Sequence, residues 1–183
     1  MRVITGTARG RVLKTLEGED VRPTTDRVKE AIFSIIQFEL EGRCVLDLFA
    51  GSGQLGIEAL SRGAAYATFT DMSAESVNIV KQNLISTKLQ NNAEVIRTEA
   101  VTFLKGNRKK YDIVFMDPPY SKGILQNTLP YAVKNVNDGG VIVCEHPYGE
   151  EMPQTVGGFS VYRGYKYGKI GITVYRKNEE DGQ

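Results

Sequence analysis

The chain has 183 residues, 41% hydrophobic and 25% charged, which is the size and composition of one globular domain with a full hydrophobic core. No apolar run approaches the roughly 18 residues that span a bilayer, and the opening MRVITGTARGR lacks the apolar stretch and small-residue cleavage site of an export signal, so the expected compartment is the cytoplasm. The net charge of +1 is unevenly spread: Arg2, Arg9, Arg11 and Lys14 open the chain without an acid, Arg163, Lys166, Lys169, Arg176 and Lys177 run together near the end, and the tail NEEDGQ is acidic.

After the basic start, RPTTDRVKEAIFSII supplies Pro23 and two threonines that can cap a helix. Val28, Ala31, Ile32, Ile35 and Ile36 then recur at helical spacing, predicting an amphipathic helix from near Thr25 or Asp26. The next stretch, RCVLDLFAGSGQLGIEALSRGA, reads as a short strand ending at Asp47, a glycine turn, and a helix stopped by Gly63. YATFT is a second strand closed by Asp71, and Ser73 can cap a helix with Val77, Val80 and Leu84 on one face. AEVIRTEA, YDIVFMD and GGVIVCE are the third, fourth and fifth strands, with helical ILQNTLPYAVKNV before the fifth. FSVYRGYKY and KIGITVYRK form a terminal hairpin turning near Gly168.

Strands alternating with helices predict an α/β fold with a mostly parallel sheet covered on both faces, in which ligands bind at the carboxyl ends of the strands. The positions that matter are then Asp47 to Gly53, Asp71, Glu99 and Asp117 to Tyr120. Gly51, Gly53 and Gly56 spell G-x-G-x-x-G, with Asp71 placed to hold two ribose hydroxyls, so the turn suits any adenosine cofactor. Asp47 would repel a pyrophosphate but can orient an ammonium group, which favours S-adenosylmethionine over a dinucleotide. Glu99 is placed either to accept from an adenine amine or simply to start a helix.

The turn Asp117-Pro118-Pro119-Tyr120 matches a specific chemical need. An exocyclic amine on a base is a weak nucleophile because its lone pair is delocalised into the ring. Acceptors at its two protons turn that lone pair out of the plane: the Asp117 carboxylate and the Pro118 carbonyl, held by the stiffness of two prolines. Tyr120 offers a face for a flipped base. A rigid turn after a strand is the simpler reading of these residues, but three ligand-type strand ends in succession favour the chemical one.

The two cysteines, Cys44 and Cys144, abut apolar runs without redox or metal spacing, which predicts core thiols. His146 is the only histidine, leaving little material for a zinc site or a Ser-His-Asp triad. It is expected in a loop at a strand end, and no metal is expected.

DLFAGSGQLG together with DPPY resembles the motifs of S-adenosylmethionine-dependent amino-methyltransferases. RPTTDRVKEAIF, EALSRGA and YKYGKIGITVY narrow the resemblance to the RsmD family of 16S ribosomal RNA guanine-N2 methyltransferases, over nearly the whole chain. The resemblance implies a Rossmann-like class I methyltransferase fold with a seven-stranded, mostly parallel sheet and an antiparallel C-terminal strand pair. It also implies one domain: a basic extension over 1–24 that contacts RNA, a core over 25–177 and an acidic tail over 178–183. Asp47, Phe49, Gly51 and Gly53 match the cofactor loop, Asp71 the ribose acid, Glu99 the adenine contact in place of the usual Asp, and Asp117, Pro118, Pro119 and Tyr120 the acceptor motif. Arg9, Arg11, Lys14 and Arg22 become a clamp for phosphates flanking an extruded guanine. The implied partner is small-subunit ribosomal RNA within an assembling particle, with no membrane. Rival readings are an amino-methyltransferase of adenine or of protein glutamine, an NAD-binding oxidoreductase, and a catalytically silent RNA-binding module.

Overall fold

The computed structural model describes residues 1–16, 26–120 and 123–178. Strands β1 (Cys44–Asp47), β2 (Tyr66–Asp71), β3 (Ala93–Arg97), β4 (Tyr111–Met116) and β5 (Val136–Pro147) pair in parallel. β6 (Thr155–Val156), β7 (Phe159–Tyr167) and β8 (Ile170–Lys177) complete the sheet in antiparallel fashion, in the order β3-β2-β1-β4-β5-β8-β7-β6. The helices are α1 (Asp26–Ile35), α2 (Gln54–Ser61), α3 (Ala74–Thr87), α4 (Ala100–Gly106) and α5 (Ile124–Ala132).

Strand order reverses at β1, which has β2 on one side and β4 on the other. That switch point opens a crevice at the carboxyl ends of the strands. The sheet buries both faces. Val45, Phe69, Phe115 and Val143 lie in one apolar cluster, and Leu46, Met116, Cys144 and Tyr175 in the other. This two-sided burial is why the parallel strands read as continuous apolar runs.

The expected seven strands are present, together with an eighth. β6 has two residues before Gly157, too few to register as an alternating pattern. The hairpin does turn at Gly168, which adopts φ +63°, and β8 inserts between β5 and β7. Ser73 caps α3 by accepting from the Ser76 amide at 3.3 Å. Cys144 is buried and its thiol is raised by that burial, and both cysteines are free. His146 corrects the sequence expectation: it lies within β5, 6% exposed. Its Nδ1 is 2.9 Å from the Pro147 carbonyl and its Nε2 2.8 Å from Thr173 Oγ1. The carbonyl requires Nδ1–H to donate, so Nε2 accepts from the threonine hydroxyl. The antiparallel pairing with β8 extends β5 through this residue, a long-range effect with no local signature.

α1 begins at Asp26; the Thr25 alternative lies outside the described residues. Its buried face carries Val28, Lys29, Ile32 and Phe33, so the helix buries a lysine as well, while Ile35 packs half-buried against the same core and Ala31 is half-buried. Lys29 Nζ donates to the Arg2 carbonyl at 2.6 Å and lies 3.7 Å from Glu58 Oε2 on α2, with both side chains fully buried. Glu58 also accepts from the amides of Ile4 at 2.8 Å and Thr5 at 3.0 Å, and from Arg62 Nε at 2.8 Å. These bonds dock an N-terminal hairpin in which Arg2 bridges Val12 and which buries Val3, Ala8 and Leu13. At Gly6, with φ +86°, an added Cβ would lie 1.7 Å from the Ser61 carbonyl oxygen, so only glycine permits this approach.

Breaking a buried ion pair leaves a desolvated charge behind, at a cost of roughly 3–5 kcal/mol. Glu58→Gln is therefore expected to lower stability by about that amount in urea unfolding monitored by circular dichroism. Adding Lys29→Met should recover part of the loss; no recovery would show that the charge pairing is not what Glu58 contributes.

Candidate active site

The crevice at the switch point is a cleft of about 920 Å³ bordered by the ends of β1, β2, β3, β4 and β5. β1 delivers Asp47, which is 2% exposed and accepts from the Gly56 amide at 2.9 Å. That bond satisfies one of the unpaired amides at the start of α2, whose capping residue Gly53 has no side chain to do so. Gly51 and Gly53 have φ of +53° and +79°, a conformation that side chains disfavour. Gly56 has a different reason: an added Cβ would meet the Phe69 ring at 2.2 Å, so glycine lets α2 lie close on β2.

Asp71, at the end of β2, accepts from the Gly51 amide at 2.9 Å and the Ser73 amide at 2.8 Å. It thereby ties the glycine turn to α3. Thr70 Oγ1 donates to the Leu48 carbonyl at 2.7 Å, and Asn83 Nδ2 donates to that of Ser52 at 2.8 Å. The turn is held from three sides. Glu99 caps α4, accepting from the amides of Val101 at 2.9 Å and Thr102 at 2.7 Å, and those bonds lower its pKa. It also lines the cleft, so the helix-start role and a place in the cleft coexist. Phe49 lines the wall beside the glycines.

Asp117, Pro118, Pro119 and Tyr120 line the same cleft. Pro118 is buried, Asp117 partly so, and the 42% exposed Tyr120 donates its hydroxyl to Glu145 Oε1 at 3.2 Å. The structure therefore brings the cofactor-type turn and the acceptor-type turn together across one opening, as the sequence predicts.

Six carboxylates line the cleft, on Asp47, Asp71, Glu75, Glu99, Asp117 and Glu145, with no lysine or arginine among the described residues. Such a lining suits a ligand carrying an ammonium and a sulfonium and repels a pyrophosphate. Gln54 Oε1 is buried at the cleft without a hydrogen-bond partner, which is a further acceptor for a ligand N–H. The residues fit S-adenosylmethionine and do not fit a dinucleotide.

Of the basic residues expected to hold RNA, Arg9 and Arg11 are exposed near the turn of the N-terminal hairpin. The hairpin's flanks, Met1 and Leu16, reach the cleft rim. Lys14 Nζ donates to Gln82 Oε1 at 2.7 Å. Arg22 lies outside the described residues. In the later basic run, Arg176 bonds Glu39 and Lys177 bonds Asp138, while Lys166 sits 4.0 Å from the centre of the Tyr148 ring. Sequence reasoning missed Glu145, whose signal was an acid interrupting an apolar strand at its carboxyl end.

The family model described as Conserved hypothetical protein 95 matches residues 1–176. A Bacillus subtilis protein called putative rRNA methyltransferase YlbH is 42% identical over 97% of this chain and 99% of its own. The Escherichia coli ribosomal RNA small subunit methyltransferase D is 34% identical over 98% of this chain and 91% of its own. The chain belongs to the RsmD family. The fold agrees with that of a solved structure, the putative methyltransferase yhhF from Escherichia coli, at a TM-score of 0.87 with 35% identity, covering 97% of each chain.

Burial pushes the Asp47 carboxyl up to about 7, the Gly56 amide opposing the rise and the charge of Asp71 adding to it. A carboxylate whose folded pKa is raised binds more protons folded than unfolded, so its contribution to stability falls as pH rises from 3.8 to about 7. Asp47→Asn keeps an acceptor for Gly56. It is expected to raise the thermal stability of the ligand-free protein above about pH 7 and to weaken S-adenosylmethionine binding in calorimetry. Wild-type affinity should strengthen between about pH 6 and 7.5 while the variant stays flat. Equal pH slopes for the two proteins would exclude Asp47 as the ammonium's partner.

Proposed function

We infer that the protein is an S-adenosylmethionine-dependent methyltransferase that modifies the exocyclic N2 amine of a guanine in small-subunit ribosomal RNA. The observation that carries this reading is the facing of Asp117-Pro118-Pro119-Tyr120 and the glycine turn across one acidic cleft. Membership of the RsmD family supports the ribosomal RNA acceptor. Among the described residues no helix is long and apolar enough to cross a membrane, and the proposed workplace is the cytoplasm, on an assembling small-subunit particle.

Bound S-adenosylmethionine supplies an electrophilic methyl group on a sulfonium. Asp47 orients its ammonium, Asp71 holds the ribose hydroxyls, and Phe49, Gly51, Gly53 and Glu99 shape the nucleoside site. The Asp117 carboxylate and Pro118 carbonyl accept from the two protons of the guanine amine, directing its lone pair toward the methyl. Asp117 takes up the proton released after attack, while Tyr120 stacks on the extruded base and Pro119 stiffens the turn. Because guanine N2 lies on the Watson-Crick edge, the base must be unpaired or flipped. Arg9, Arg11, Lys14 and Arg22, in the proposed extension over 1–24, hold the flanking phosphates.

Labelled methyl transfer should be measured on unmodified small-subunit particles, duplex DNA and a glutamine-bearing protein in parallel. Label is expected only in the ribosomal RNA, recovered as N2-methylguanine. Asp117→Ala should lower transfer by about 10²- to 10⁴-fold with cofactor affinity nearly intact, whereas Asp71→Ala should lose cofactor binding first. Label in DNA or protein would keep the chemistry and reject the acceptor. Replacing Arg9 and Arg11 together by alanine should reduce the slope of log affinity against log salt by about 1.4 to 1.8; an unchanged slope would remove them from the phosphate footprint.

A further inference from the structure

The Asp-Pro-Pro-Tyr turn accounts for an amine but not for the choice of base, since adenine and cytosine also carry exocyclic amines. Glu145 supplies what is missing. β4 and β5 run parallel with Met116 opposite Cys144, so Asp117, the first residue past β4, falls beside Glu145. Alternation puts Asp117 on the face of Ile113 and Phe115, and Glu145 on that of Val141 and Val143. All four of these apolar residues lie in the same cluster, so the two carboxylates leave the sheet on one side. Glu145 is 3% exposed yet lines the cleft with Asp117, Pro118 and Tyr120, and Tyr120, the proposed stacking ring, is bonded to its Oε1 at 3.2 Å.

The bases differ in what stands next to the amine. In guanine the neighbour of N2 along the Watson-Crick edge is N1–H, a donor. In adenine the neighbour of N6 is N1, and in cytosine the neighbour of N4 is N3, each a bare acceptor. A buried carboxylate beside the amine site accepts from the first and repels the other two, and unpaired acceptors facing one another in a desolvated pocket are costly. A carboxylate has about four lone-pair sites and can accept from a base beside the partners it already has, Tyr120 among them. We propose that Glu145 is the specificity-determining residue that accepts the N1–H of the target guanine, beside the amine held by Asp117 and Pro118. This rests on the methyltransferase reading above.

The test uses small-subunit particles reconstituted with ligated RNA carrying guanine or 2-aminopurine at the mapped methylation position. 2-Aminopurine keeps the amine on C2 and presents a bare N1. Wild type should favour guanine by about 10- to 100-fold in kcat/KM. Glu145→Ala and the equal-volume Glu145→Gln should both collapse that preference, chiefly by slowing the guanine reaction, with cofactor binding by calorimetry reporting that each is folded. A wild type that does not distinguish the two bases overturns the proposal while leaving the methyltransferase reading in place. So does a loss of equal factor on both bases in the Glu145 variants, which would make Glu145 only an anchor for Tyr120. A wild type that methylates no guanine overturns the enzyme reading and this inference with it.

Discussion

The turn after β1 exists in its observed shape because two carboxylates hold its amides. Asp47 takes the Gly56 amide from below, and Asp71 takes those of Gly51 and Ser73 from the neighbouring strand. Residues at positive φ do not stay in one conformation unless something over-determines them, and here strand ends, helix start and glycine turn constrain one another. Desolvating Asp47 costs enough to lift its carboxyl to about 7. A site for a ligand that carries an ammonium has reason to hold such a group, because that charge relieves the cost of burying the carboxylate.

The N-terminal hairpin depends on a second buried group, Glu58, in the helix that the glycine turn launches. Its carboxylate meets a lysine, an arginine and two backbone amides, so α1, α2 and the hairpin converge on one residue. The hairpin's flanks in turn reach the cleft rim through Met1 and Leu16. The segment carrying the exposed Arg9 and Arg11 is thus tied by short links to the element that forms the cofactor loop, and the proposed phosphate contacts rest on a firm base.

The charge of the cleft separates readings that the glycine fingerprint leaves open. G-x-G-x-x-G followed by an acid serves nicotinamide and methyl-donor cofactors alike. Six carboxylates without a lysine or arginine among the described lining residues are incompatible with a pyrophosphate and suited to a sulfonium. The acidic lining also matches an amine acceptor, whose protons need acceptors and which, after attack, must lose one.

By itself the sequence determined the elements whose signals are local. Apolar runs ending in or followed by acids became β1, β2 and β4, Gly63 and Gly168 ended their elements, and Ser73 capped α3. Each depends on neighbours within a few residues, where propensity and dihedral preference act. Only the tertiary structure decided the rest. Lys29 and Glu58 look like surface residues until the hairpin closes over them, and His146 reads as a loop until β8 extends β5 past it. Glu99 became a cap and a cleft residue at once because the same strand end starts a helix and faces the crevice. Glu145 joins Asp117 through the register of two strands separated by a helix. Their partners lie tens of residues away in the chain, and no local pattern encodes a contact made across a sheet.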